Sequence, residues 1–370
     1  MKSLGNFPDP FFVGIAGQPE ALWRAADGLR DQRGTLRSIG RLVRTDTVIV
    51  TGMGGSYAAC YPLVAELAEA GRTAVMLGAA ELVHFRSGIL DPSTAVIAVS
   101  QSGESAEVVH LAELLRGLGH RPSLVAVTNG TDNSLARAAD LVLDTRAGEE
   151  SGPSTRTFAA GLVSLAGLGR VLVGATPDAA CDATSRDAER AAGSIERLLG
   201  DGSLAGDLLS WLGPREEVVV LGRGPARAAA EMAALTLKEA VGVPAEALEA
   251  AQFRHGPLEL AGPGLAAIVI ATEPETEPLD RALARELRDD GAATMEITRS
   301  GGLPRALDPG PGSHPADRPN AIHIGIGAIH RSIAPAASIV PTQLLAHALA
   351  IARGREPGTF LHATKVTTRE

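Results

Sequence analysis

Ser100-Gln101-Ser102-Gly103-Glu104-Ser105 brings three hydroxyls, an amide and a glycine together in one short stretch. It follows an apolar run, Ala95 to Val99, and precedes a helix-like stretch, Ala106 to Leu118. A buried strand that ends in small hydroxyl residues and then opens a helix makes an anion site. The first turn of a helix leaves backbone N–H groups without partners and carries partial positive charge. Gly103 lets the backbone approach a ligand closely. No Lys or Arg lies in the loop, so a phosphate there is held by dipoles and hydroxyls. A plain capped helix, with Ser102 and Ser105 as ordinary N-terminal residues, accounts for the same letters and stays open as the alternative.

The elements that must position this loop come as a repeat. Val48-Ile49-Val50-Thr51-Gly52-Met53-Gly54 has a counterpart in Val218-Val219-Val220-Leu221-Gly222-Arg223-Gly224. Each is a short apolar strand, a GxG turn and an Ala-rich helix. Ala95 to Val99 corresponds to Ala266 to Ile270, and Leu124 to Val127 to Ala293 to Ile297. Strands alternating with helices predict α/β units with a parallel sheet in each half. Continuous apolar strands fit sheets covered on both faces. A helical, charge-rich connector over Asp178 to Ser203 joins the halves. A helix is expected over Pro19 to Gln32, an irregular loop over Gly301 to Pro319, and a long apolar helix over Ile333 to Arg353 with Pro341 inside it.

The halves differ where the chemistry lies. The second copy has Ala271-Thr272-Glu273-Pro274-Glu275-Thr276 in place of the serine loop, and two acidic residues repel phosphate. One phosphate site per chain is expected, in the first half. The GxG turns do not complete a dinucleotide fingerprint, because Tyr57 and Arg227 stand where a third glycine belongs. NAD binding is therefore not expected.

Composition sets outer limits. The 370 residues suffice for two domains, and 45% are apolar against 21% charged. A net charge of −9 argues against nucleic-acid or anionic-membrane partners. Cys60 and Cys181 have no metal spacing, so no metal site is expected and a reduced, cytoplasmic setting fits. No signal peptide and no apolar stretch long enough to span a bilayer are evident.

Several motifs in order resemble the double SIS (sugar isomerase) domain family. They are similar to the isomerase half of glutamine–fructose-6-phosphate aminotransferase and to related stand-alone deaminases and deglycases. The motifs are Gly54-Gly55-Ser56-Tyr57, the Ser100–Ser105 loop, and Ala147-Gly148-Glu149-Glu150-Ser151-Gly152-Pro153-Ser154-Thr155-Arg156. Leu237-Lys238-Glu239, Ala245-Glu246-Ala247 and Arg254-His255-Gly256-Pro257 follow. Ile333-Ala334-Pro335, Pro341-Thr342-Gln343-Leu344-Leu345 and Thr364-Lys365-Val366-Thr367 complete the set.

The resemblance implies an α/β fold of two flavodoxin-like SIS subdomains, each a parallel sheet flanked by helices, in a homodimer. The expected division is an N-terminal arm 1–35, a first SIS domain 36–185 with the phosphate loop, a second SIS domain 205–353, and a catalytic tail 354–370. It implies that Ser56, Ser100, Gln101, Ser102 and Ser105 bind the phosphate of a sugar phosphate, with Ser154 beside the sugar chain. It implies that Glu239 shuttles a proton between C1 and C2, that His255 assists ring opening from the neighbouring subunit, and that Lys365 forms a Schiff base directly with the sugar. No cofactor is implied.

The residue types suit these roles. A carboxylate can take and return one proton when burial raises its pKa. An exposed helix carboxylate is the plain alternative for Glu239. A histidine held on a turn suits proton transfer to a ring oxygen. A lysine must lose its proton to attack a carbonyl, and desolvation under a folded tail helps; a solvated tail lysine is the alternative. Glu149 and Glu150 either order the loop before Ser154 or are solvated, and no catalytic role is assigned to them.

Two departures bear on direction. Thr236 stands where the aminotransferase has a lysine, and Leu361 where relatives have an arginine. Position 2 is Lys rather than a nucleophilic Cys, and no glutaminase segment is seen, so a separate glutaminase partner would be needed for synthesis. The catabolic direction is expected: an amino-sugar-phosphate deaminase of glucosamine-6-phosphate type, or a deglycase. The alternatives are an aldose–ketose phosphate isomerase, an isomerising aminotransferase subunit and a non-catalytic phosphosugar sensor.

Overall fold

A computed structural model of the chain describes residues 9–45, 47–300, 305–306 and 320–370. The chain divides into two compact units. One, here the first unit, comprises 20–150, 154–189 and 361–370; the second comprises 1–19, 151–153 and 190–360. The junction falls inside helix Pro177–Gly200, within the expected connector. The segment expected as an arm is shared, residues up to Pro19 counting with the second unit and Glu20 onward with the first. Likewise the tail changes unit after Phe360.

The first unit is built on five parallel strands: β1 Thr47–Gly52, β2 Thr73–Gly78, β3 Thr94–Ser100, β4 Ser123–Thr128 and β5 Leu141–Asp144. Their order across the sheet is β2-β1-β3-β4-β5. Every residue of β3 is buried, as its unbroken apolar run requires of a central strand covered on both faces. On one face Ile49, Val96, Ala98, Leu124 and Ala126 pack with Leu82, Val108, Leu111, Leu115 and Leu135 from helices. Each buried Leu, Ile or Val contributes about 1.5–3 kcal/mol.

This order places the site. From β1 the chain crosses to β2, and from β3 it crosses the other way to β4. The loops after β1 and β3 therefore diverge, leaving a crevice at the carboxyl ends of the two central strands. Gly52 pairs with Val99 there, and a Cβ on Gly52 would come within 2.7 Å of the Val99 carbonyl oxygen. Only glycine lets the two strand ends approach this closely.

The second unit repeats the plan. Its strands are β6 Glu217–Gly222, β7 Ala245–Glu249, β8 Leu265–Ala271, β9 Ala293–Thr298, β10 Arg305–Ala306 and β11 Ala321–Gly325. The order is β10-β11-β9-β8-β6-β7, parallel throughout except for the short β10 beside β11. Both halves thus have the flavodoxin-like α/β order, and the paired segments found in the sequence are β1 with β6, β3 with β8 and β4 with β9. The irregular loop expected over Gly301 to Pro319 lies outside the described residues apart from β10.

Two expectations about helices are refined. The helix expected over Pro19 to Gln32 spans Gln18–Asp31. The long helix expected over Ile333 to Arg353 is two helices, Ala334–Ser338 and Val340–Ala352. Pro341 falls in the first turn of the second helix, where its missing N–H has no intrahelical partner to lose. Contrary to the sequence expectation, Ala334–Ala352 is long and apolar enough to cross a membrane by composition alone. It is 89% buried within the protein, the mark of a core segment. Its His347, buried, meets Asp9 at 2.5 Å, which ties down the helix Pro10–Ala16 that Asp9 caps.

Candidate functional site

At the carboxyl ends of β1 and β3, Gly55, Ser56, Ala59, Val99, Gln101, Val127, Thr145, Ser154, Thr157, Phe158 and Gly161 line a small depression. Ser56, Gln101 and Ser154, expected around a sugar phosphate, thus share one pocket. The Gln101 N–H donates to Ser56 Oγ at 3.3 Å, which joins the loops after β1 and β3.

The serine loop has a defined internal structure. Ser100 is buried and its Oγ accepts from the Gly103 N–H at 3.1 Å. Ser102 Oγ accepts from the Glu104 N–H at 3.1 Å. Gly103 has φ +65°, and a Cβ there would collide with the Asn133 side chain. Ser105 is the N-cap of helix Ala106–Gly117, yet its side chain makes no capping bond. Ser105 thus holds the N-cap position of the plain-cap alternative without its side-chain bond. Ser100, Ser102 and Ser105 lie in this loop beside the pocket but not among its lining residues.

The tail is stitched to the same unit. The Ala106 N–H, first in the helix after the serine loop, donates to the Thr367 carbonyl at 3.0 Å. His84 and His110 both meet the Glu370 carboxylate, at 3.2 and 3.3 Å. Just ahead of these anchors in the chain, Lys365 Nζ donates to Glu150 Oε2 at 2.9 Å.

Glu150, for which the sequence left open ordering the loop before Ser154 or lying solvated, orders that loop. Its side chain is 2% exposed. Oε1 accepts from the backbone N–H groups of Thr155 and Arg156 at 2.9 and 2.8 Å, at the start of helix Arg156–Leu172. Oε2 accepts from Thr157 Oγ1 at 2.5 Å. Burial pushes this carboxyl up, but the Lys365 ammonium and the Thr157 and Thr155 hydroxyls outweigh it and hold it below the ordinary glutamate range. Thr157 in turn lies 2.6 Å from Ser154 Oγ. A continuous polar chain therefore runs Lys365–Glu150–Thr157–Ser154 to the pocket wall. The sequence signal for Thr157 was slight, a hydroxyl one residue past the Ser-Thr-Arg triplet.

Glu239 and His255 belong to the second unit. Glu239 is half-buried near the end of helix Arg227–Val241, beside an exposed Lys238. His255 is exposed on the turn after helix Ala250–Phe253, before Gly256 at φ +124°. Thr236 is fully buried, and Leu361 is 66% exposed.

The loop after β8, expected to repel phosphate, is held by ion pairs. Arg331 meets Glu273 at 3.1 Å and Glu275 at 2.7 Å. In the turn after β6, Arg223 contacts Asp280 at 2.6 Å and Glu249 at 3.1 Å. Burial pushes Asp280 up despite Arg223.

A doubly wound sheet repeated once, with a hydroxyl-lined pocket where the strand order reverses, defines the class. The pattern of the SIS domain matches residues 41–168 and 212–352, and the chain belongs to the SIS domain family. The chain is 29% identical over 379 residues to glutamine–fructose-6-phosphate aminotransferase of Pyrobaculum aerophilum, covering all of this chain and 59% of that protein. It is 31% identical over 374 residues to the enzyme of that name from Streptomyces coelicolor, covering 96% of this chain and 58% of that protein. The chain thus spans less than two thirds of the length of these relatives.

Among solved structures, it matches the C-terminal domain of glucosamine-fructose-6-phosphate aminotransferase from Francisella tularensis. That match has a TM-score of 0.77 and 21% identity, over 97% of this chain and all of that one. Glucosamine-6-phosphate deaminase from Thermotoga maritima matches with a TM-score of 0.68 and 20% identity, over 96% of this chain and 99% of that one. These likenesses establish the shared fold.

Proposed function

We propose that this chain is an amino-sugar-phosphate deaminase, or a deglycase of the same kind, that works through a Schiff base on Lys365. The observation that carries the proposal is the Lys365–Glu150 pair. It links the tail amine through one carboxylate and one hydroxyl to Ser154, on the wall of a pocket without Lys or Arg. Ser56, Gln101 and the loop Ser100–Ser105 supply the donors for a phosphate.

For an amino sugar phosphate the balance is simple. Glu239 takes the C2 proton of the open-chain sugar and returns it at C1, leaving an imine at C2. The Lys365 amine displaces ammonia from C2, and water then frees lysine and releases the ketose phosphate. The sum is amino sugar phosphate plus water giving ketose phosphate plus ammonia. His255 serves ring opening before this sequence. Glu150 anchors the Lys365 ammonium, and the lysine must leave this pair and lose its proton before attack.

The test is ammonia release from glucosamine 6-phosphate and amine release from glycated amines, with Lys365→Ala as control. Release that collapses in the variant supports the proposal. No release from any of these substrates by protein that binds sugar phosphates overturns it. Sugar interconversion that survives Lys365→Ala would make the chain an aldose–ketose isomerase instead.

A further inference from the structure

The hydroxyls beside the pocket can be given a direction. Around Glu150, the backbone N–H groups of Thr155 and Arg156 and the Lys365 ammonium are donors and nothing else. A carboxylate gathered by such groups is an ionised acceptor. The Thr155 hydroxyl at 2.7 Å and the Thr157 hydroxyl at 2.5 Å must therefore each give it a proton.

A hydroxyl has one proton to give. That of Thr157 is spent on Glu150. Ser154 Oγ lies 2.6 Å from Thr157 Oγ1, so in this contact Ser154 is the donor and Thr157 the acceptor. The proton of Ser154 is spent as well. What Ser154 keeps for the pocket it lines is lone pairs.

We propose that Thr157, held by Glu150, fixes Ser154 as a hydrogen-bond acceptor, so that Ser154 reads a hydroxyl or amine on the sugar's carbon chain and takes no part in holding the phosphate. The inference rests on the phosphosugar reading of this pocket and adds a division of labour within it. The phosphate of a sugar phosphate is mostly the dianion at neutral pH, its oxygens are then acceptors, and a serine that presents lone pairs repels them. The phosphate is left to the donors of Ser56, Gln101 and the serine loop. Ser154 instead selects ligands that carry a donor opposite it, because a ligand without one leaves its lone pairs unpaired. Thr157 is a positioning residue, acting on the ligand through Ser154. The same chain ties this selectivity to Lys365, since both ends meet at Glu150.

The test is calorimetric titration of the full chain with inorganic phosphate and with glucitol 6-phosphate. Ser154→Ala, Thr157→Val and Thr157→Ser are compared with the unaltered protein. Ser154→Ala is expected to weaken glucitol 6-phosphate roughly tenfold while leaving inorganic phosphate within about twofold, the loss of one hydrogen bond to the sugar alone. Thr157→Val frees the Ser154 proton and should narrow the difference in affinity between the two ligands. Thr157→Ser, which keeps the hydroxyl, should restore it.

Equal weakening of both ligands by Ser154→Ala would mean that Ser154 donates to the phosphate, and would overturn the proposal. Unchanged binding of both would overturn it too. If the unaltered protein binds neither ligand, the phosphosugar reading fails and this proposal falls with it. If it binds both and the variants break the expected pattern, only the direction of the hydroxyl chain is wrong.

Discussion

Lys365 Nζ and Glu150 Oε2 lie 2.9 Å apart although 215 positions separate them in the chain. The pair joins the tail to the loop that starts helix Arg156–Leu172. Glu150 caps that helix start and anchors the tail with one carboxylate, so the helix dipole and the ammonium stabilise the same charge.

Glu150→Gln should therefore lower thermal stability near neutral pH, by about 1–3 kcal/mol. A carboxyl held below its ordinary range contributes stability that is present above the unfolded value and lost as pH falls through the folded one. The melting-temperature gap between variant and unaltered protein should be widest near neutrality and close in acid. A gap that stayed constant with pH would remove the ionised carboxylate from the account.

Lys365→Arg separates anchoring from chemistry. Arginine keeps the charge for Glu150 but cannot form a Schiff base with a sugar. The melting temperature should fall by less than in Lys365→Ala, while turnover drops by at least about a hundredfold in both. Retained turnover in the arginine variant would place the covalent step elsewhere.

Gly103→Ala should damage both fold and phosphate binding. Its φ of +65° and the neighbouring Asn133 side chain leave no room for a Cβ. A loss of about 1–3 kcal/mol is expected, with weakened inorganic phosphate binding by titration calorimetry. The Ser100 and Ser102 contacts to Gly103 and Glu104 depend on that backbone conformation.

Glu66, on helix Tyr61–Glu69, is raised to about 7, first by burial, with Arg170 pulling it down and Glu69 pushing it up. A carboxyl raised in this way favours the folded state below its unfolded value and loses that advantage as pH rises through the folded one. Glu66→Gln should raise the melting temperature at about pH 8, and change it little at about pH 4, where both forms are neutral. Equal shifts at both values would mean that the charge of Glu66 does not matter.

Arg223→Ala removes the partner of Asp280, whose side chain is 1% exposed. Breaking a buried pair from one side costs about 3–5 kcal/mol. Phosphate affinity should stay unchanged, since Arg223 lies in the second half's turn rather than in the serine loop. Loss of phosphate binding by protein still folded would place a second anion site in that half.

Much of the fold was legible because its signals are local. Apolar runs such as Ala95 to Val99 must be buried strands, and the GxG turns after Thr51 and Leu221 end two of them. The repeat between Val48–Gly54 and Val218–Gly224 follows from letters alone. The serine loop announced itself because strand, hydroxyls, glycine and helix are contiguous. The break near Pro341 did not, since an apolar run reads alike in one buried helix or two.

Glu150 shows what local signals leave out. Beside Glu149 in a polar loop it looks like any solvated charge. Its burial comes from the helix that starts at Arg156, and its partner from a tail far along the chain. Sequence by itself determined the strands, the repeat and the hydroxyl-rich loop proposed to hold a phosphate, because periodicity and turn chemistry act between near neighbours. Only the tertiary structure decided that Lys365 meets Glu150 and that Thr157 links Glu150 to Ser154. The direction of a hydroxyl's proton depends on which acceptor folding brings against it, and no spacing of letters carries that.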